Sequence, residues 1–109
     1  MKHLHYFDLV YDLTCCIPKG RVTTYGAIAD YLSLGSARMV GWALNRLLAT
    51  HAIPAHRVVN RKGELSGRAH FNPPSLMQEL LEAEGIRIEN NQVLDFKEKF
   101  WHPAELEKD

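Results

Sequence analysis

Apolar residues recur at helical spacing at the start of the chain. Between residues 4 and 17 they occupy every third or fourth position, which predicts an amphipathic helix. These residues are Leu4, Phe7, Val10, Leu13 and Ile17. Residues 18–20 contain a proline and a glycine and end the pattern.

Two shorter helical patterns follow, separated by a tight turn. The first covers residues 25–32 and the second residues 37–48, with Thr24 and Ser36 as the predicted N-caps. The turn between them, residues 33–35, contains a glycine. Two short helices joined in this way indicate a helix-turn-helix.

A short buried strand is predicted in the middle of the chain, at residues 57–59. Two valines end this segment, and a proline just before it restricts the backbone. Residues 60–63 have the composition of a turn, so residues 64–65 are expected to return as the partner strand. Residues 66–74 are polar and irregular and predict a loop.

A further helix is predicted over residues 75–84. Ser75 and Gln78 have the spacing of a capping box at its start. Gly85 follows the last helical position and is typical of a helix stop.

The remaining residues predict a small hairpin and a folded tail. Residues 86–88 (Ile-Arg-Ile) and 93–94 (Val-Leu) are joined through two asparagines, which favours a hairpin. The tail from residue 96 is expected to pack back as a lid or wing, with Trp101 in the core. Together these elements predict one α+β domain over residues 1–109, of the winged-helix type.

The distribution of charge along the chain leads to a different expectation about nucleic-acid binding than the net charge does. The chain has no formal net charge, which argues against a strong nucleic-acid binder. Residues 19–68, however, contain eight basic and two acidic residues, a net charge of +6, and the remainder carries −6. One face of the protein could therefore attract phosphate groups while overall nonspecific affinity stays modest.

Several classes of protein and site are excluded by composition. No apolar segment approaches the ~18 residues of a membrane span, and no signal-peptide pattern is present, so we expect a cytoplasmic protein. Cys15 and Cys16 are neighbours, which disfavours a disulfide, and we expect both to fill the core. The six histidines show no zinc-type spacing, so no metal or cofactor is expected.

The strongest chemical signal is the run at residues 54–58, which reads Pro-Ala-His-Arg-Val. The predicted helix pair precedes it, and a Leu-Glu-Ala-Glu-Gly run follows at residues 81–85. This ordered set resembles the DNA-binding, active-site domain of the O6-alkylguanine-DNA alkyltransferases, whose signature is Pro-Cys-His-Arg-Val. The resemblance covers roughly residues 5–102. It is closer to the alkyltransferase-like proteins, which keep the fold and the base-binding pocket but lack the acceptor cysteine.

The resemblance aligns Ala55 with the acceptor cysteine. Alkyl transfer needs a thiolate, and the family lowers the pKa of its cysteine through a neighbouring histidine and a glutamate. The matching residues, His56 and Glu84, have no nucleophile to activate here and are interpreted as a residual hydrogen-bond network. Many alkyltransferase-like proteins have tryptophan at this position, so Ala55 indicates a roomier pocket that accepts ethyl or larger groups.

The resemblance also assigns roles in the helix pair. Tyr25 matches the tyrosine that pushes on the target nucleotide's phosphate, and Arg38 matches the arginine that fills the vacated stack. Small residues leave the face of the second helix thin, which suits the ~6 Å minor groove. The predicted DNA-binding set is Thr24, Ser36, Ala37, Arg38 and Gly41.

Three residues complete the pocket that the resemblance implies. Arg68, thirteen residues after Ala55, matches the arginine that stacks on the modified guanine in alkyltransferase-like proteins. Val58 and Ser66 match the pocket wall.

These matches predict a protein that recognises DNA damage and is not an enzyme. It would bind duplex DNA containing O6-alkylguanine as a monomer, through the minor groove, flip the base into its pocket, and pass the lesion to nucleotide excision repair proteins. One alternative is a true methyltransferase in which Ala55 has replaced the cysteine. Another is a winged-helix transcription regulator that is indifferent to alkylation.

Overall fold

The computed structural model describes residues 5–47 and 52–107, which form helices and two small sheets and confirm the α+β class. The α-helices are α1 (Tyr6–Thr14), α2 (Tyr25–Tyr31), α3 (Ala37–Leu44), α4 (Leu76–Ala83) and α5 (Phe96–Lys99). The strands are β1 (Thr23–Thr24), β2 (Val58–Val59), β3 (Ile88–Glu89) and β4 (Gln92–Val93). Short 3₁₀ turns cover Ala55–Arg57, Arg68–His70 and Pro103–Glu107. Among the described residues, no helix is long and apolar enough to cross a membrane.

Helix α1 anchors the helix pair through two tyrosine hydroxyls. Tyr6 donates a hydrogen bond to the carbonyl oxygen of Met39 (3.0 Å), and Tyr11 donates one to that of Ala43 (2.7 Å). Both acceptors lie on α3, so α1 fixes the position of that helix. The helix ends earlier than predicted, but Ile17 still reaches the core from the turn that follows it.

The helix pair has the predicted order, with two corrections. The Oγ1 atom of Thr24 accepts a hydrogen bond from the backbone N–H of Ala27 (3.0 Å), so this N-cap is confirmed. Ser36 occupies the N-cap position of α3, but its side chain makes no capping hydrogen bond. Helix α3 also ends at Leu44, and the predicted end near residue 48 lies outside the described residues.

The partner predicted for the central strand was wrong. Strand β2 pairs in parallel with β1, not with residues 64–65. Both valines of β2 are fully buried, so their backbone groups need partners inside the fold, and the segment leading into α2 supplies them. Glu64 instead bridges to Gln92 of the hairpin, and Arg57 belongs to the 3₁₀ turn before the strand.

The predicted capping box of α4 was also wrong. Ser75 already has helical φ and ψ angles of −65° and −15°, so its hydroxyl does not turn back to cap the helix. The hydroxyl of Ser75 bonds to Glu79, and Gln78 bonds to Glu82, each one turn further along. The predicted stop at Gly85 is confirmed, because this glycine has a φ of +90°.

The C-terminal elements close the core. Strands β3 and β4 form the predicted hairpin. Trp101 is only 3% exposed, as predicted for a core residue, and its backbone N–H donates to the carbonyl oxygen of Val22 (2.7 Å). The Arg21 guanidinium holds the carbonyl oxygens of Lys99 and Phe100. This part of the tail is therefore a structural element and not a lid.

The two cysteines are exposed, which corrects the prediction that they fill the core. Helix α1 buries the face that carries Val10, Leu13 and Thr14. Cys15 and Cys16 come just after it, where the chain turns toward solvent.

Candidate nucleic-acid interface

A surface groove separates the helix pair from the loop that follows β2. Its cavity of about 390 Å³ brings together five residues that the sequence assigned to base flipping, DNA binding or the pocket wall. These are Tyr25, Ala37, Arg38, Gly41 and Ser66. Trp42, Asn45, Gly67 and His70 complete the lining.

Tyr25 lies at the first position of α2, with its hydroxyl held against the loop. Burial raises the pKa of this hydroxyl, while a hydrogen bond with the Ser66 side chain lowers it by less. The group is therefore neutral at physiological pH and can approach a phosphate without charge repulsion. A Cβ atom at Gly67 would lie 2.7 Å from the Tyr25 hydroxyl oxygen, so the contact requires a glycine there.

Arg38 is exposed in the first turn of α3. None of the ion pairs among the described residues involves its guanidinium. The first turn contains no acidic residue either, so the helix dipole and the arginine together make this end of α3 electropositive. An anionic ligand is favoured at this position.

A second cavity, of about 430 Å³, lies behind the groove and contains the aligned cysteine position. Ala55 and His56 line it together with Asn45, His70 and Asn72. Its other lining residues are apolar: Leu44, Leu47, Ile53, Phe71, Leu76 and Leu80. Asn45 and His70 line both cavities, so the groove and this pocket adjoin. Such a lining suits an apolar group attached to a flat polar ring.

The pocket floor is supported by a buried carboxylate network. Glu84 accepts hydrogen bonds from the backbone N–H of Gly20 (2.9 Å) and from the Arg57 guanidinium (2.8–3.1 Å), and its Oε2 lies 2.7 Å from His56 Nε2. Arg57 also donates to the carbonyl oxygen of Ile17 (2.9 Å). Burial would raise the pKa of Glu84, but these hydrogen bonds outweigh it and lower the pKa from 4.5 to about 2. The network thus ties the end of α4 to the 3₁₀ turn that carries Ala55.

Five of the assigned residues do not line either cavity, and two of them are already placed: Ser36 at the N-cap position of α3 and Glu84 in the carboxylate network. Val58 is fully buried in the core cluster against which Ala55 packs. Thr24 is buried, with its hydroxyl oxygen occupied by capping. Arg68 is exposed in its 3₁₀ turn, where its Nη1 donates to the carbonyl oxygen of Leu65 (2.9 Å).

The sequence reasoning missed several residues of this site. Arg57 and Gly20 complete the Glu84 network, and Trp42, Asn45 and His70 line the groove. A charged residue within the buried strand predicted at residues 57–59 was an available signal for Arg57. Trp42 stands four residues after Arg38, the spacing of one helix face.

A third cavity, of about 380 Å³, lies on the other side of Tyr25. The exposed cations Arg61 and Lys62 line it with Gly26, Ala37, Asn60 and Glu64. Positive charge thus flanks the start of both α2 and α3.

The pocket contains a histidine, His56, that could act as a general base, but it contains no nucleophile. The described cysteines lie at the end of α1 and line none of these cavities. The His56–Glu84 pair could activate an adjacent thiol as a thiolate, but the adjacent side chain is the methyl group of Ala55. The arrangement can bind a planar group and its substituent, and it offers no sulfur for alkyl transfer.

Comparison with known proteins adds a consistent set of similarities. A model of the family described as "6-O-methylguanine DNA methyltransferase, DNA binding domain" matches residues 5–86. The chain is 36% identical to alkyltransferase-like protein 1 of Schizosaccharomyces pombe, covering 94% of this chain and 100% of that protein. It is also 36% identical to the DNA base-flipping protein of Escherichia coli, covering 85% and 71% of the two chains.

The fold is similar to a solved complex. The crystal structure of S. pombe Atl1 with damaged DNA containing O6-carboxymethylguanine matches with a TM-score of 0.82 at 35% sequence identity. The match covers 94% of this chain and 100% of that one.

Proposed function

Because the chain belongs to the family of the 6-O-methylguanine DNA methyltransferase DNA-binding domain, and within it to the alkyltransferase-like proteins, we propose that it recognises alkylated DNA without repairing it. The observation that carries this function is the pocket behind the groove. Its His56–Glu84 pair is intact, but Ala55 leaves it without an acceptor thiol. The protein is a non-enzymatic sensor of DNA damage.

The target is an O6-alkylguanine that leaves the duplex and enters the pocket. Tyr25 pushes on the phosphate of the target nucleotide, and Arg38 fills the vacated stack from the minor groove. Flipping a base costs a few kcal/mol and costs less for a weakened pair. The apolar wall around Ala55 offsets part of this cost by burying the alkyl group, at about 25 cal/mol per Å². This arrangement favours binding of guanines that carry an ethyl or larger group over binding of unmodified guanine.

Arg68 serves as the lesion sensor in this proposal. Its bond to the Leu65 carbonyl lies in the plane of the guanidinium and leaves the flat faces free to stack on the flipped base. The 3₁₀ turn that carries Arg68 also carries His70, which lines both cavities. In this proposal the turn moves when DNA binds, so that the guanidinium lies over the pocket.

Binding alone does not remove a lesion, so we place the protein upstream of nucleotide excision repair. In this proposal a single monomeric domain acts in the cytoplasm. The turn at residues 60–64, and not the tail from residue 96, takes the part of a wing in this proposal, because its cations flank the starts of α2 and α3.

One titration tests the function directly. The protein is titrated at fixed salt with the same duplex carrying either guanine or O6-methylguanine at one position. Its mass is then measured by mass spectrometry after incubation with the alkylated duplex. We expect tighter binding to the alkylated duplex and an unchanged protein mass. Equal affinity for both duplexes is what a transcription regulator would show, and a stoichiometric gain of one methyl group would identify a methyltransferase.

A further inference from the structure

Trp42 is the most exposed large apolar side chain among the described residues. Its side chain is 53% exposed, although α3 buries its neighbours Val40, Ala43 and Leu44. The other tryptophan of the chain, Trp101, lies in the core. Tryptophan combines a large apolar ring with an N–H donor, and for this reason it is enriched at binding interfaces.

The position of Trp42 points to a ligand of the groove. It follows Arg38 by four residues, so the two side chains share one face of α3 about 6 Å apart along the axis. Both line the groove cavity together with Tyr25. A Cβ atom at Gly41, next to Trp42, would meet no atom within 4 Å, so the indole stands beside open space.

The surroundings of the indole favour nucleic acid over an apolar protein surface. Asn45, Ser66 and His70 line the same cavity and offer hydrogen-bonding groups, and Arg38 supplies a positive charge. Among the described residues, no acidic side chain lines this cavity. Aromatic rings combined with positive charge are common where proteins contact bases along a phosphate backbone, as in single-strand binding proteins.

We propose that Trp42 is a second wedge in the DNA, distinct from Arg38. The indole packs against the minor-groove edges of the base pairs about two steps from the flipped nucleotide and partly unstacks them. The contact lies on the flank that faces the C-terminal end of α3, because Trp42 follows Arg38 in that direction. Apolar side chains that enter the minor groove commonly open a base step in this way. This inference rests on the proposed function, since Arg38 at the vacated stack sets the register.

A wedge makes binding depend on flanking sequence. Pyrimidine–purine steps unstack more easily than other steps. We therefore expect tighter binding when such a step lies on the Trp42 flank of the lesion, and no effect when it lies on the opposite flank.

The two tryptophans allow a direct test, because Trp42 is accessible to acrylamide and Trp101 is not. The parent, Trp42→Ala and Trp42→Phe are titrated with the O6-methylguanine duplex, and tryptophan emission and acrylamide quenching are followed. A 2-aminopurine placed two steps from the lesion, on either flank, reports unstacking. Leu106→Ala is the matched control, since Leu106 is 48% exposed but lines none of the cavities described here.

The expected results are specific to one side chain and one flank. DNA should change the emission of Trp42 and protect it from acrylamide, and Trp42→Ala should weaken binding to the alkylated duplex about fivefold to tenfold. Trp42→Phe should weaken binding to the alkylated duplex only about twofold, because an aromatic ring remains. The parent should brighten 2-aminopurine on one flank only, and Trp42→Ala on neither. Leu106→Ala should behave as the parent.

Other outcomes separate this inference from the proposed function. Unchanged Trp42 emission at saturating DNA, with parental affinity in Trp42→Ala, would overturn the wedge while the lesion preference of the parent stands. Parental DNA binding by Trp42→Ala together with a lost contact to another protein would overturn it too, and would make the indole part of a protein interface. If the parent binds both duplexes equally but Trp42→Ala weakens both, the indole contacts DNA, but the lesion function fails and so does the position of the wedge relative to a flipped base.

Discussion

Gly67 leaves no room for a side chain beside the Tyr25 hydroxyl in the groove. Gly67 has a φ of −89°, so alanine fits the backbone there, but its methyl carbon would lie 2.7 Å from the Tyr25 hydroxyl oxygen. We expect Gly67→Ala to displace this hydroxyl from Ser66 and weaken binding to the alkylated duplex severalfold, at a cost of about 1 kcal/mol. The change is measured by fluorescence of a base analogue beside the lesion, which reports extrusion.

Gly35→Ala provides the control for this change. It adds the same methyl group within the helix pair, where the nearest atom is the Met39 Sδ at 3.9 Å. If Gly67→Ala extrudes the base as well as Gly35→Ala and the parent do, the position of the Tyr25 hydroxyl does not matter for flipping.

Arg68 is the residue at which lesion reading and general DNA affinity can be separated. A guanidinium stacked on the flipped base contributes only when a base is in the pocket. Arg68→Ala should therefore reduce the preference for alkylated over normal duplex about fivefold, or about 1 kcal/mol, and leave normal-duplex affinity unchanged. Arg68→Lys should restore only part of the preference, because an ammonium group lacks a flat face. Equal losses on both duplexes in paired titrations would make Arg68 a phosphate contact.

At the scale of elements, the Glu84 network joins the end of α4 to the turn that carries Ala55. The folded-state pKa of Glu84 is lowered from 4.5 to about 2. Its contribution to the free energy of unfolding is therefore fully present above pH 4.5 and is lost as the pH falls toward 2. Glu84→Gln should lower the free energy of unfolding by about 2 kcal/mol at pH 7, a value that allows for partial solvent screening. This difference from the parent should shrink between pH 5 and pH 2.

Urea unfolding at pH 7, 5 and 3 measures this effect, with Glu82→Gln as the control. Glu82 lies on the same helix and loses the same charge when changed, but it is exposed and bonds only to Gln78 among the partners described. A deficit of Glu84→Gln that stays constant across this pH range would show that lost packing, and not the ionised carboxylate, causes it.

At the scale of the whole molecule, charge is separated along the chain and gathered around the groove. Among the exposed cations of the central segment, Arg38 lines the groove, and Arg61 and Lys62 line the cavity on the other side of Tyr25. Each phosphate contact adds about 0.9 to the slope of log affinity against log salt. Changing both Arg61 and Lys62 to alanine should lower this slope by about 2 on normal and alkylated duplexes alike.

The ratio of the two affinities should stay constant in this double variant, because phosphate contacts do not read the base. Titrations at several salt concentrations measure both quantities. A variant that loses lesion preference but keeps its salt slope would place residues 61 and 62 at the flipped base and not at the backbone.

The sequence by itself determined the order of the helices, the helix-turn-helix, the hairpin and the protein family that the pocket motif resembles. These features rest on local signals: helical spacing of apolar residues, the cap at Thr24, the stop at Gly85, and a five-residue motif around Ala55. Such signals act over a few residues, so they can be read without knowing what packs against them.

Only the tertiary structure decided how these elements meet. The parallel pairing of β1 with β2 joins residues 35 positions apart, as in the pair Thr23 and Val58. The exposure of Cys15 and Cys16, and the meeting of Arg57 with Glu84, likewise depend on distant segments. Two-residue strands and single side chains carry too little local preference to select their partners, so packing of the whole core selects them.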